Sequence, residues 1–169
     1  KVGLFAFPGA SRVGQLHVVD IGIPPRLAAD VTQDLITPDW VRATLPQRPL
    51  DAHKGTFGRL LVVAGSINYL GAAYLACEAA ARVGTGLVTL AVPRSLQPIL
   101  SAKLTEVTYL PLPEEGDVLS PEAAELVLSE SQDYQALLVG CGLGQSPGVA
   151  YLLSHTVLSS RFPQIPVVL

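Results

Sequence analysis

The sequence predicts an α/β fold, in which a mostly parallel β-sheet carries helices on its faces. The first observation is that short apolar strands alternate with helical segments from residue 59 to the end of the chain. The second is that some of these strands, such as residues 60–64, are apolar without alternation, which is typical of strands buried on both faces. With 169 residues, 49% of them hydrophobic, the chain is long enough to bury the core of one ordinary domain.

Five strands and their helices are predicted from these patterns. The strands are expected at residues 60–64, 87–92, 106–110, 136–140 and 165–169. The first long helix is expected over 69–83, with Asn68 as its cap. Its apolar stripe is expected to consist of Ala72, Ala76, Ala79 and Val83. A short helix begins at Ser95.

Serine followed by proline marks the start of two later helices. Ser120-Pro121-Glu122 combines a cap, a proline at the first helical position and an acid in the first turn. Ser146-Pro147 repeats the signal. The buried stripe of that last helix is expected to be Val149, Leu152, Leu153, Thr156 and Val157.

The first 49 residues follow a different pattern. The sequence of residues 1–25 predicts short strands and turns, which end at a Pro-Pro pair. The sequence of residues 26–49 predicts a linker with a helical turn at 38–43. Both ends of the sequence suggest a fragment. The chain begins within a strand-and-turn pattern, and it ends on an apolar strand with no following turn. We expect a buried last strand and a functional segment after Leu169, since ligand sites in parallel sheets lie beyond the strand ends.

Composition narrows the possible partners. The net charge is −3 and no basic run is present, which argues against nucleic acid. The longest apolar region, 70–93, contains Glu78 and Arg82 and is broken by Gly84 and Gly86, so no membrane span is predicted. No secretory signal is visible, and the two cysteines form neither a disulfide framework nor a metal pattern. A cytoplasmic location is expected.

Two glycine-rich turns follow strands and are expected at the same sheet edge. Gly65-Ser66 follows the first strand and leads into Gly71-Ala72-Ala73 at a helix start, and Gly140 to Gly144 follows a later strand. Together they could line a crevice. A helix N-terminus there favours an anionic ligand such as a nucleotide or dinucleotide. Tight packing of helix on strand explains the same glycines and alanines equally well.

Other polar residues give weaker signals. His53 and Lys54 precede the first strand and are expected near the opposite edge, unless their loop folds back; a surface pair is the alternative. Glu106 begins a predicted strand, where a solvated charge is the alternative. Gly140 to Gly144 lacks the dinucleotide fingerprint, and Gly65 to Gly71 lacks the ending of a P-loop. No catalytic triad or metal cluster can be recognised, so no catalytic residue or metal ligand is assigned.

Five segments in order resemble one known family. They are His53-Lys54-Gly55-x-x-Gly58, Val63-Ala64-Gly65-Ser66, Gly71-Ala72-Ala73, Ala79-Ala80-Ala81-Arg82-x-Gly84-x-Gly86-Leu87-Val88 and Gly140-x-Gly142-Leu143-Gly144. Over about residues 45–169 the chain resembles the NAD(P)H-hydrate dehydratase family, also described as the YjeF C-terminal domain. The resemblance implies a ribokinase-like three-layer sandwich, incomplete at its C-terminus. It also implies ADP- or ATP-dependent dehydration of hydrated NADH and NADPH, normally with Mg²⁺.

The resemblance assigns roles to several residues. The floor of the substrate site is implied at Gly71, Ala72, Ala73, Gly142, Leu143 and Gly144. Support for the nucleotide site is implied at His53, Lys54, Gly65, Ser66 and Glu106. The catalytic aspartate of the family belongs to a later motif that residues 1–169 do not contain. Cys141 and Thr105 stand where the family usually has proline.

The resemblance also suggests a division of the chain. Residues 1–25 look like the tail of an NAD(P)H-hydrate epimerase domain, 26–49 like a linker, and 50–169 like the N-terminal half of the dehydratase. The parent then resembles a bifunctional repair enzyme, expected to form a homo-oligomer. Two alternatives stay open: a small-molecule kinase of the wider ribokinase-like group, and a dinucleotide-sensing or oligomerising module without catalysis.

Overall fold

The computed structural model describes residues 2–32, 35–116 and 118–169, and the chain divides into two compact units, Lys1–Pro49 and Leu50–Leu169. Helix α2, Pro38–Thr44, confirms the helical turn predicted at 38–43. Its N-terminus is set by Pro38 in the first turn and by the Thr37 side chain, which accepts a hydrogen bond from the Trp40 N–H.

The strand pieces expected within residues 1–25 are wrong for the part of the chain that the structure describes. Residues 2–25 contain the 3₁₀ turn Val2–Leu4, the short helix α1, Ala10–Val13, and otherwise irregular backbone. A 3₁₀ turn at Pro25–Ala28 follows. Apolar sequence alone does not make a strand, because a strand also needs a neighbouring strand to accept and donate its backbone hydrogen bonds.

The second unit contains the predicted parallel sheet. Its strand order is β3-β2-β1-β6-β7, and every pair in it is parallel. The strands are β1 Arg59–Val63, β2 Leu87–Pro93, β3 Thr108–Leu112, β6 Ala136–Val139 and β7 Val167–Val168. A small antiparallel hairpin that the sequence did not suggest, β4 Glu114–Glu115 and β5 Val118–Leu119, follows β3.

Helices cover both faces of the sheet. Their bounds are α3 Leu70–Val83, α4 Gln97–Ser101, α5 Pro121–Glu130 and α6 Pro147–His155. On one face, Val62 packs in a buried cluster with Ala73 of α3 and Leu100 of α4. On the other face, Leu61 and Val63 pack in a cluster with residues of α5 and α6. Successive residues of β1 thus enter different cores, which explains the uninterrupted apolar sequence of residues 60–63 and confirms the α/β prediction.

Helix α3 is correctly predicted in length but not in detail. Its buried residues are Ala73, Cys77 and Ala80, one position away from the predicted stripe, and Val83 is 70% exposed. The predicted cap is also wrong, because Tyr69 occupies the cap position without a side-chain hydrogen bond. In an alanine-rich helix the apolar pattern does not distinguish one face from the next, so the sheet decides which face is buried.

The serine–proline helix starts are confirmed in position. Ser146 caps α6 by accepting from the Val149 N–H at 3.3 Å. Ser120 precedes α5 but makes no side-chain cap, and its Oγ is buried without a hydrogen-bond partner among the described residues. The predicted stripe of α6 is confirmed: Val149, Leu152 and Thr156 are buried, and Leu153 and Val157 pack against the same cluster.

Two strands differ from their predicted bounds. Strand β3 begins two residues later than expected, so Glu106 lies in the loop before it. Strand β7 is shorter than 165–169 and forms the sheet edge, where Val168 is 61% exposed, so the buried last strand is not observed within this chain.

None of the helices that the structure describes is both long and apolar enough to cross a membrane.

Candidate functional site

A crevice lies where β1 and β6 end. The two strands are parallel neighbours, with Val63 aligned to Val139, so the turns that follow them emerge at the same sheet edge. This confirms the predicted juxtaposition of the Gly65-Ser66 and Gly140–Gly144 turns. The crevice has a volume of about 850 Å³ and is lined by Ser66, Ile67, Asn68, Tyr69, Ala72, Gly140, Gly142, Leu143, Gly144, Gln145 and Ser146.

The two turns are joined by hydrogen bonds. The Ser66 Oγ–H donates to the carbonyl oxygen of Gly142 at 2.7 Å. The Gly65 N–H donates to the carbonyl oxygen of Cys141 at 2.9 Å. Each turn therefore fixes the position of the other, and the crevice has walls that are linked to one another.

Gly142 also packs closely against the start of α3. A Cβ at position 142 would lie 2.7 Å from the Tyr69 Cβ and 2.9 Å from the Ala72 Cβ. The backbone φ of Gly142 is +75°, a conformation that side chains rarely adopt. Space and backbone conformation both require glycine here, and the small Ala72 allows the turn to approach the helix.

The turn at 140–143 has a recognisable geometry. The Leu143 N–H donates to the Gly140 carbonyl at 3.0 Å, and the third residue, Gly142, has positive φ. These features are those of a type II turn, which favours proline at its second position. Cys141 occupies that position, which gives a physical reason for the proline that the family resemblance implies there.

The predicted substrate residues divide into two groups. Ala72, Gly142, Leu143 and Gly144 line the crevice. Gly71 instead borders a separate, largely apolar cavity of about 560 Å³, together with Tyr74. Ala73 is 0% exposed, and a Cβ on Gly65 would lie 2.9 Å from the Ala73 Cβ, which favours the packing interpretation for this pair.

The predicted nucleotide-site residues are also divided. Gly65 and Ser66 belong to the turns that form the crevice. His53 and Lys54 are exposed and precede the amino end of β1, and a Cβ on Gly86 would collide with the Lys54 carbonyl, so their loop packs against the turn before β2. Glu106 borders a recess of about 420 Å³ with Cys77 and Arg82, before β3 begins. These three residues therefore lie at the amino ends of strands, away from the crevice.

Several residues that line the crevice were not predicted as site residues from the sequence. Asn68, Tyr69 and Gln145 line the crevice, and the Tyr69 side chain is 57% exposed. The available signal was their position, because each falls within or just after a turn that follows a strand. Their spacing matches no known motif, so only the assembled sheet reveals that they share a cavity.

The crevice is uncharged. None of the described residues that line it carries a charged side chain, and the backbone N–H groups of Gly142 and Gly144 donate to no group among the described residues. The N-terminus of the 14-residue helix α3 lies beside them, where its dipole favours negative charge. The described part of the chain contains no group of three or more His, Cys, Asp or Glu residues suited to hold a metal.

The two thiols differ in environment. Burial, followed by the proximity of Cys141, raises the pKa of the Cys77 thiol to about 12. Cys141 is half-buried in the type II turn. Cys77 is therefore an inert packing residue at neutral pH, and Cys141 is the more accessible thiol.

A parallel sheet between two helical layers, with glycine turns around a crevice at its carboxyl edge, defines an α/β protein. A ribokinase-like superfamily protein from Enterococcus faecalis V583 has this fold, with a TM-score of 0.63 and 23% identity over 78% of this chain and 43% of that one. The profile of the family described as NAD(P)H-hydrate dehydratase matches residues 60–169, and the chain belongs to that family.

Relatives of known type agree with this assignment. A bifunctional NAD(P)H-hydrate repair enzyme Nnr from Moorella thermoacetica is 40% identical over 98% of this chain and 32% of its own length. The ADP-dependent (S)-NAD(P)H-hydrate dehydratase of Bacillus subtilis is 37% identical over 76% of this chain and 44% of its own. A structure of the ADP/ATP-dependent Bacillus subtilis dehydratase, co-crystallised with ATP/Mg²⁺, matches with a TM-score of 0.60 and 31% identity over 78% of this chain and 43% of that chain.

This chain spans about a third of the length of the bifunctional relatives that it matches. The names of these relatives favour the dehydratase interpretation over the small-molecule kinase alternative.

Proposed function

We propose that this chain supplies the substrate-binding part of a nucleotide-dependent NAD(P)H-hydrate dehydratase, a lyase that removes water from hydrated NADH or NADPH. The observation that carries the proposal is the crevice whose walls are joined by the Ser66–Gly142 hydrogen bond, in a chain that belongs to this family. The hydrated dinucleotide is the proposed ligand of that crevice.

The chemistry of the lining suits this ligand. The unpaired N–H groups of Gly142 and Gly144 and the start of α3 can donate to negatively charged oxygens. The small Ala72 leaves room for close approach to the helix. The exposed Tyr69 offers an aromatic face on which a ring can stack. The crevice can thus bind phosphates through backbone groups and a ring through an aromatic contact.

We also propose ADP or ATP, with Mg²⁺, as the cosubstrate. When bound, the nucleotide would supply a phosphoryl group that converts the hydroxyl of the hydrated ring into a leaving group. The described residues contain no acidic cluster that fits Mg²⁺, so no step is assigned to a metal here. The role of this chain is then to hold and orient the dinucleotide, and no catalytic residue is assigned within it.

The proposed domain division is 1–25 as the tail of an epimerase domain, 26–49 as a linker and 50–169 as the first half of the dehydratase domain. Two findings support it. The chain separates into compact units at Pro49, and the bifunctional Moorella relative aligns with 98% of the chain whereas the Bacillus dehydratase aligns with 76%. A cytoplasmic location and a homo-oligomer remain part of the proposal.

The test uses the complete protein that carries this chain. Hydrated NADH is incubated with ADP, with ATP or with no nucleotide, and NADH absorbance and released phosphate are followed. We expect NADH to reappear only with nucleotide, together with an equal amount of phosphate. A parallel assay offers small hydroxylated compounds and ATP. Phosphorylation of such a compound without NADH recovery would establish the kinase alternative, and tight binding of the dinucleotide without turnover would establish the sensing module.

A further inference from the structure

The two carbonyl groups at the tip of the Gly140–Leu143 turn are both held by the opposite turn. The Cys141 carbonyl accepts from the Gly65 N–H at 2.9 Å, and the Gly142 carbonyl accepts from the Ser66 hydroxyl at 2.7 Å. Of these two donors only the hydroxyl belongs to a side chain, and Ser66 is half-buried where it makes this bond. Residue 66 is therefore the position in the opposite turn at which a side chain holds the Gly140–Leu143 turn.

The orientation of these carbonyls determines where the turn presents its donors. In a trans peptide the C=O and the following N–H point in opposite directions. With its carbonyl directed to Gly65, the Cys141–Gly142 peptide directs the Gly142 N–H away from Gly65, and that N–H donates to no group among the described residues. The neighbouring peptide uses its Leu143 N–H to close the turn on Gly140. The Gly142 N–H stays available to a ligand only while this arrangement persists.

We propose that Ser66 is a positioning residue, whose hydroxyl holds the Gly140–Leu143 turn in the conformation that leaves the Gly142 N–H free for a ligand. The importance of that N–H for the dinucleotide rests on the proposed function. The conformation of the turn does not, because it follows from the hydrogen bonds alone.

The two cysteines allow this proposal to be tested without any ligand. Cys141 lies within the turn, whereas Cys77 is buried in α3 with a pKa of about 12. Local opening of the turn exposes Cys141 alone, and global unfolding exposes both thiols. The rate at which a disulfide reagent modifies each of these two thiols, measured on the complete protein that carries this chain, therefore separates the two events.

Three variants make the comparison. Ser66→Ala removes the hydroxyl and Ser66→Thr retains it. Ser129→Ala is the matched control, because its Oγ–H also donates to a backbone carbonyl, that of Leu126 at 2.9 Å, but within α5. We expect Ser66→Ala to accelerate modification of one thiol roughly tenfold, as loss of one hydrogen bond predicts. Ser66→Thr should restore the wild-type rate, and Ser129→Ala should leave it unchanged.

Two results would overturn the proposal: an unchanged rate in Ser66→Ala, or acceleration of both thiols together, which would show only a general loss of stability. Titration of the complete protein with hydrated NADH then adds the ligand. Weaker binding in Ser66→Ala, recovered in Ser66→Thr, supports the role of the Gly142 N–H, and equal binding by all three proteins refutes it. If wild type itself binds no dinucleotide while the thiol result holds, the positioning role stands and the proposed function fails.

Discussion

Ser66 and Gly142, which are 76 positions apart in the sequence, are joined by a hydrogen bond of 2.7 Å from the serine hydroxyl to the glycine carbonyl. The bond can form only after β1 and β6 have paired, because their ends carry the two turns. The crevice is consequently a product of the assembled sheet and cannot form in either turn alone. Variants in the two turns should therefore affect one another.

The first prediction concerns the close contact of Gly142 with α3. Gly142→Ala places a methyl group 2.7 Å from the Tyr69 Cβ, in a backbone conformation with φ of +75°. Gly144→Ala has a similar φ of +81°, but its nearest neighbour would be the Ser66 Oγ at 3.9 Å. Both variants pay the cost of the positive φ, and only the first adds a steric clash.

We therefore expect Gly142→Ala to be less stable than Gly144→Ala by about 1–3 kcal/mol, the usual cost of overpacking. Urea unfolding of the two variants under the same conditions measures this difference. Equal free energies of unfolding would mean that α3 moves away from the turn at little cost.

The second prediction concerns the type II turn. Proline suits the position of Cys141 because it restricts the unfolded chain at a site whose folded conformation it can adopt. The Cys141 N–H donates to no group among the described residues, so proline removes no bond. We expect Cys141→Pro to stabilise the fold by about 0.4–1 kcal/mol relative to Cys141→Ala, measured by urea unfolding. A proline variant less stable than the alanine variant would refute the type II geometry.

The third prediction separates binding from packing in the first turn of α3. Ala72 lines the crevice, whereas Ala73 is fully buried against Gly65. Leucine at position 72 should extend towards the crevice and abolish dehydration of hydrated NADH by the complete protein, with a smaller loss of stability than leucine at position 73. Leucine at position 73 should lower the free energy of unfolding by about 1–3 kcal/mol.

Activity assays and thermal unfolding of both variants provide the comparison. Full activity in Ala72→Leu would show that Ala72 is not part of the substrate site. Equal destabilisation by both leucines would show instead that position 72 serves packing as position 73 does.

Much of this fold could be predicted because parallel strands carry a strong signal. β1, β2 and β6 are apolar on both faces, and the rule that ligand sites follow strand ends placed both glycine turns at one edge. Ala72, Gly142 and Gly144 were found from that rule and from the family resemblance. These features depend on local sequence and on parallel topology, both of which are visible in a single chain.

Other features depend on contacts that local sequence does not specify. The predicted buried face of α3 was wrong by one residue, because the helix has alanines on several of its faces. Packing against the sheet selects the face that contains Ala73 and Cys77. The Ser66–Gly142 bond needs two distant turns to meet. Tyr69 and Gln145 have no distinctive spacing, so their place in the crevice followed only from the structure.

The last prediction concerns an ion pair outside the crevice. The Arg161 guanidinium donates to both oxygens of Glu125, at 2.9 and 3.0 Å, and links α5 to the segment after α6. These hydrogen bonds, together with the charges of Arg161 and His155, lower the pKa of the Glu125 carboxyl. Because the folded-state pKa is depressed, the pair stabilises the fold above the unfolded-state pKa of glutamate, and that contribution is lost as the pH falls through the folded-state pKa.

We expect Glu125→Gln to be slightly less stable than wild type at neutral pH, because the pair is exposed, and the difference to vanish in acid. A double-mutant cycle with Arg161→Gln isolates the pair from other effects of each substitution. The coupling free energy, obtained from urea unfolding at several pH values, should be stabilising at neutral pH and approach zero below the folded-state pKa. A coupling that persists unchanged in acid would show that the two side chains interact through packing and that the carboxylate charge contributes nothing.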